Sequence, residues 1–258
     1  MSRFIDKLNQ VSRVMPQSMG FKRVQPISEK PKILLIASLA QASADGLADY
    51  AVGADAGLLP IHKLSSEVKT IGEMSQAVPD IPWGGWLRNT TKSKIKHTAK
   101  DGCDFMVFPA ANTPLTLLQN DGIGKILEIE PLLSESLLRA ANELPIDAVL
   151  VTAEQGGGSF LTWQHLMLFQ RFASLLTKHL LASIPPNVTA NELQALWGAG
   201  VNGVVIEVSV GQPTNRLKKL RQIIDKLTFP SQCKWEKAGA LLPHIGREAS
   251  TATEEEEE

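Results

Sequence analysis

Eight short apolar runs alternating with amphipathic stretches predict an α/β fold in which parallel strands close into a single (β/α)₈ barrel. Two observations carry this reading. Between Lys32 and Pro230 the chain repeats one phrase: a β-rich apolar run, a polar loop, an amphipathic segment, then a small or glycine-containing turn. Strands and helices that alternate in this way pair in parallel through right-handed crossovers. The second observation is the turn itself. "VGADAGLLPI", "KDGCDFMVFPA" and "GAGVNGVVIEV" each place glycine near a helix end, then Asp or Asn, then a strand. Glycine at that point caps a helix C-terminus because it accepts a left-handed backbone.

The predicted strands are KILLIAS (32–38), AGLLPI (56–61), WGGWL (83–87), DFMVFPA (104–110), KILEIE (125–130), DAVLVTAE (147–154), HLLASI (179–184) and GVVIEV (203–208). Two of them depart from the pattern: WGGWL has glycines that pack nothing themselves, and KILEIE carries two acids. Helices are expected over SSEVKTIGEMSQAV, SESLLRAANEL, LTWQHLMLFQRFASLLT, TANELQALWGAG and PTNRLKKLRQIIDKL. In the last, Leu217, Leu220, Ile224 and Leu227 share a face at helical spacing. An open doubly wound sheet is the alternative, but the first turn, "SLAQASADGLAD", lacks the G-x-G-x-x-G of a dinucleotide-binding sheet. Over residues 32 to 230 the chain resembles the TIM-barrel superfamily at the level of architecture. That resemblance implies an active site at the C-terminal ends of the strands.

Outside the barrel, residues 1–31 form an N-terminal helical extension in which Phe4, Ile5, Leu8, Val11 and Met15 share a face. Such a face docks on the barrel floor or on a second copy of the chain, making a homo-oligomer one of the expectations. Residues 231–258 are read as a tail whose end, "STATEEEEE", is a disordered like-charge run. The 26 basic and 27 acidic residues leave a formal charge of -1, without the basic footprint of a nucleic-acid binder. Neither a signal-like apolar start nor a membrane-length apolar run is present, which predicts a cytoplasmic protein without a membrane partner. The two cysteines, Cys103 and Cys233, do not suggest a disulfide framework.

The barrel rule turns the polar residues into candidates for one mouth, which would take a small-molecule ligand. Strand two leads to His62 and Lys63, strand three to Arg88, strand four to Asn112, and strand eight to Glu207 and Ser209. Side chains alternate along a strand, so Ile126, Glu128 and Glu130 face one way, Thr152 and Glu154 share a face, and Glu207 opposes Ile206 and Val208. The carboxylates then point into the barrel, where ionised groups must pair, bind a cation or titrate upward. Glu128 and Glu207 are candidate ligands for a divalent cation such as Mg²⁺, since hard cations prefer carboxylate oxygen. Of the tryptophans, all but Trp86 are read as core, with Trp86 walling the mouth. His165 and His179 are read as packing residues, and Arg216, Lys218, Lys219 and Arg221 as a solvated helix face.

These residues suggest a lyase or isomerase, aldolase-like, that removes a proton next to a carbonyl in a small oxyacid, carbonyl or sugar phosphate. Glu154 would be the general base, with Lys63, His62 or Arg88 meeting the developing oxyanion. Asn112, Glu128, Glu207, Ser209 and the glycines Gly156, Gly157 and Gly158 would contact substrate. In "AEQGGGSF" the three glycines are read as hinges of a lid over the mouth. The alternative function is a non-catalytic barrel that binds a metabolite or a protein partner, because fold does not dictate function.

Overall fold

The computed structural model describes residues 2–12, 33–39, 51–61, 64–88, 102–120, 122–152, 160–208 and 216–226. The first element is α1 (Arg3–Ser12), followed by β1 (Leu34–Leu39), β2 (Ala56–Ile61), α2 (Leu64–Ala77), β3 (Trp83–Leu87) and β4 (Phe105–Pro109). A 3₁₀ turn (Leu115–Gln119) leads to β5 (Gly124–Ile129), α3 (Glu135–Ala141), β6 (Ala148–Thr152) and α4 (Trp163–Leu175). The chain continues through β7 (His179–Ile184), α5 (Ala190–Gly198), β8 (Gly203–Val208) and α6 (Arg216–Lys226). The strands pair in sequence order and β8 closes on β1, all in parallel. The eight strands and the α/β barrel are therefore those expected. Segments 13–32 and 227–258 lie outside the described residues.

Closure carries a stagger. Following the register once round from Val208, through Leu39, Gly85, Met106 and Asp147, returns to Gly200 on the same strand's approach, eight residues earlier. A shear of eight tilts the strands so that inward side chains form layers drawn alternately from even and odd strands. From the floor upward these are Ala56, Phe105, Ala148 and Gly203, then Ile36, Gly84, Ile126 and Leu181, then Leu58, Val107, Leu150 and Val205. Above them the composition turns polar, with Ser38, Trp86, Glu128 and Ser183 in one layer and Thr152 and Glu207 in the next.

The glycines of WGGWL are what let this core fill. A Cβ on Gly84 would stand 2.4 Å from the Phe105 ring, so Phe105 occupies the space a side chain on β3 would have taken. On the outer face, a Cβ on Gly85 would stand 2.3 Å from Ile61, and one on Gly57 would stand 2.2 Å from the Trp83 indole. The strand read as weak is thus a complement to large neighbours, a pairing that single-strand propensity does not register.

The repeated turns work as read and also align the strands. Gly53, Gly102 and Gly200 have φ of 94°, 82° and 94°, the left-handed region that favours glycine. The following acid or amide then pins the preceding strand. Asp55 accepts the Leu35 N–H at 2.8 Å, Asp147 that of Lys125 at 2.8 Å, and Asn202 that of Leu180 at 2.9 Å. Asp55 also pairs with Arg221 at 2.8 Å. Arg221 therefore turns inward and is not part of a solvated stripe, whereas Lys218 and Lys219 are exposed. Cys103 beside Asp104 is buried, and desolvation pushes its thiol up to about 12, which leaves it a poor nucleophile.

At the fourth turn the carboxylate does something else. Asp104 accepts from Ser2 Oγ at 2.7 Å, the Arg3 N–H at 2.8 Å and the Phe4 N–H at 2.9 Å, and so caps α1 from another part of the chain. Phe4 stacks on Phe105 with ring centroids 4.3 Å apart, and Phe4 and Leu8 belong to the barrel core. Arg3 donates to the Pro79 and Asp80 carbonyls and Lys7 to that of Asp55, while Asn9 Oδ1 lies 3.0 Å from His179 Nε2. All these partners precede or begin strands, so α1 seals the N-terminal end of the barrel, the floor expected for it. His179 begins β7, as expected of HLLASI, and holds this floor through Asn9.

Three outcomes follow. Gly84→Ala should destabilise by about 1–3 kcal/mol through overpacking, and adding Phe105→Leu should restore part of the loss; additive losses in urea titration would contradict the complementarity. Asp104→Ala should cost about 2–3 kcal/mol by orphaning the first turn of α1, read as a lowered Tm, and an unchanged Tm would show the cap to be dispensable. Burial lowers the pKa of His179, so its folded state resists charging. Stability is then full above the unfolded value of about 6.5 and falls as pH drops through it toward the lower folded pKa. Tm measured from pH 7.5 to 5 should fall more in the native protein than in His179→Gln; parallel curves would refute this.

Candidate functional site

At the C-terminal mouth the polar layer is organised around one indole. Trp86 comes from the inward row of β3 and Glu128 from that of β5, and the stagger places them at one height. The Trp86 ring is 2% exposed and packs in the barrel core. Its Nε1–H donates to Glu128 Oε2 at 2.8 Å, so the bond orients the carboxylate without neutralising it. Two residues on, Arg88 leaves β3 and folds back over the same ring, with Cζ 3.9 Å from the centroid. Cation–π attraction holds a guanidinium over such a ring.

The two charges remain separate. Among the described residues, Arg88 has no hydrogen bond or ion pair, and Glu128 makes no hydrogen bond beyond that from Trp86. Glu128 thus stands at the N–H edge of the indole and Arg88 over its face. Glu207 lies on the inward row of β8, with β6 and β7 between it and Glu128. Both glutamates face inward as the alternation predicts. Among the described residues no group of three or more His, Cys, Asp or Glu side chains is placed to hold a metal ion. Asn112 is exposed in the loop after β4, beside Thr113, whose Oγ1 is buried without a hydrogen-bond partner among the described residues.

Of the residues chosen from sequence, the structure brings Arg88 and Glu128 together through Trp86. His62, Lys63, Glu154, Gly156, Gly157, Gly158 and Ser209 lie outside the described residues, and the lid reading of "AEQGGGSF" lies there with them. The Trp86–Glu128 bond was not anticipated: alternation predicts that both face inward, but their shared height needs the stagger. The reading of tryptophans is corrected at two positions: Trp86, the one set apart from the core, is buried in it, and Trp163 is 81% exposed at the start of α4. His165 completes a capping box with Thr162 at the same helix start, a structural role in line with its reading. Among the described residues no helix is long and apolar enough to cross a membrane.

No family model matches the chain, and no curated protein matches it. Solved structures do match in fold. A mutant tryptophan synthase α-subunit from the hyperthermophile Pyrococcus furiosus is 14% identical with a TM-score of 0.59, covering 75% of this chain and 97% of its own. The native KDPGal structure is 17% identical with a TM-score of 0.56, covering 81% and 96%. Thiamine phosphate pyrophosphorylase from Pyrococcus furiosus is 14% identical with a TM-score of 0.56, covering 76% and 96%. At these identities the likeness is one of architecture: the chain is a (β/α)₈ TIM barrel with an N-terminal helix closing its floor.

Proposed function

We propose that the barrel mouth is the active site of a lyase or isomerase that removes a proton next to a carbonyl in a small oxyacid, carbonyl or sugar-phosphate substrate. The observation that supports this reading is the Trp86–Glu128 hydrogen bond: among the described residues it takes one carboxylate oxygen and leaves the other without a partner, with the Arg88 guanidinium packed over the same indole. Glu128, in the same layer as Trp86, takes here the base role expected of Glu154, which lies outside the described residues. In the step, the C–H proton passes to Glu128 Oε1. The electron pair of that bond moves onto the carbonyl oxygen as an enolate, and the cation beside it lowers the energy of the developing negative charge. Return of a proton to the same or the neighbouring carbon completes an isomerisation, and loss of a leaving group from the enolate completes an elimination.

The apolar layers beneath, Leu58, Val107, Leu150 and Val205, floor this site with groups that cannot exchange protons. That raises the strength of the electrostatic terms above them. A divalent cation at Glu207 or Glu128 would act as a further electrophile, which makes Mg²⁺ a variable to include in the assay.

The test is loss of the C–H signal next to the carbonyl in D₂O, followed by proton NMR for pyruvate, dihydroxyacetone phosphate and related compounds with and without Mg²⁺. Exchange should be catalysed by the native chain and fall about 10²–10⁴-fold in Glu128→Gln, with a Tm close to native. No exchange for any member of the panel would overturn the reaction class. A loss in Glu154→Gln with Glu128→Gln unaffected would return the base role to Glu154.

A further inference from the structure

We infer that the ligand enters the mouth through a carboxylate, received edge-on by Arg88. The inference deepens the proton-transfer reading and rests on the same mouth: Arg88 receives the carboxylate, and its charge acts on the adjoining carbonyl oxygen as that becomes an enolate.

The geometry of the stack carries it. With Cζ 3.9 Å from the Trp86 centroid, the guanidinium is packed over the indole. Guanidinium N–H donors lie in the plane of the group, the direction in which a two-oxygen acceptor is bound bidentately. Among the described residues nothing fills those donors. Holding the guanidinium on the ring beforehand removes part of the side-chain entropy that an exposed arginine loses on binding.

Charge selects the anion. Among the described residues the mouth carries two carboxylates, Glu128 on the same indole and Glu207 on the inward row of β8. A singly charged acid meets less repulsion there than a phosphate with close to two negative charges. Trp86 is accordingly a positioning residue, with its ring under the cation and its N–H on the acceptor, so that anchor and base keep a set separation and do not collapse into a salt bridge.

The experiment is isothermal titration of the full chain with pyruvate and acetate, and separately with inorganic phosphate and methylphosphonate. The native protein should bind the carboxylates in preference to the phosphorus acids. Arg88→Lys keeps the charge and loses the fork, and because Arg88 is exposed the variant should fold; its affinity for pyruvate should fall about tenfold or more. Glu128→Gln should bind pyruvate as well as or better than the native chain, since a negative charge has gone. Trp86→Phe keeps a ring under Arg88 and loses the N–H, so it should retain pyruvate binding while proton exchange declines. The inference is overturned if phosphate or methylphosphonate binds more tightly than the carboxylates, if Arg88→Lys binds pyruvate as the native chain does, or if no carboxylate binds at millimolar concentration. Carboxylate binding through Arg88 without any proton exchange would sustain the inference and reject the proposed reaction; exchange on a substrate lacking a carboxylate, with no carboxylate bound, would do the reverse.

Discussion

Everything in this molecule that concerns position depends on the stagger with which the barrel closes. Eight parallel strands joined edge to edge leave no free edge, and the register advances eight residues in one circuit. An even stagger keeps the inward rows inward all the way round. It also sets which side chains meet at one height. Phe105 on an even strand packs against the gap at Gly84 on an odd one, and Trp86 and Glu128, both on odd strands, arrive in the same layer. A slip of one residue at any pairing would turn a strand's apolar set outward.

The two ends of the barrel are treated differently. Turns that enter the strands at the floor carry an acid or amide whose side chain takes an N–H from the neighbouring strand, as at Asp55, Asp147 and Asn202. Asp104 has the same place in its own turn but gives its carboxylate to the first turn of α1. One departure from the repeat thus attaches an extra element, and Gly124 permits its close approach to Ile5. Burial of Lys7 and His179 beneath that helix lowers both pKa values. Both groups have stabilising contacts there, Lys7 with a carbonyl and His179 with an amide.

At the mouth the same physics has the opposite outcome. The indole is apolar enough to complete the core and has one N–H for Glu128, while its face supports Arg88. Among the described residues Arg88 and Glu128 form no ion pair with each other, and each interacts with the same ring instead.

Alternation of apolar runs with amphipathic stretches, together with the Gly–Asp or Gly–Asn turns, was sufficient to determine the eight strands and the parallel barrel; the apolar face of α1 was legible too, but not the choice between the floor and a second copy. Four of the strand bounds, AGLLPI, WGGWL, HLLASI and GVVIEV, agree to the residue with those observed. These features are local: they arise from period-two burial, helix caps and backbone sterics within a few residues. The inward direction of Glu128 and Glu207 was legible for the same reason. The meeting of Trp86 with Glu128, the use of Gly84 by Phe105, the inward turn of Arg221 and the diversion of Asp104 to α1 were decided only by tertiary structure. Each joins residues on different elements, and which residues meet across a barrel is determined by a closure stagger that no single strand encodes.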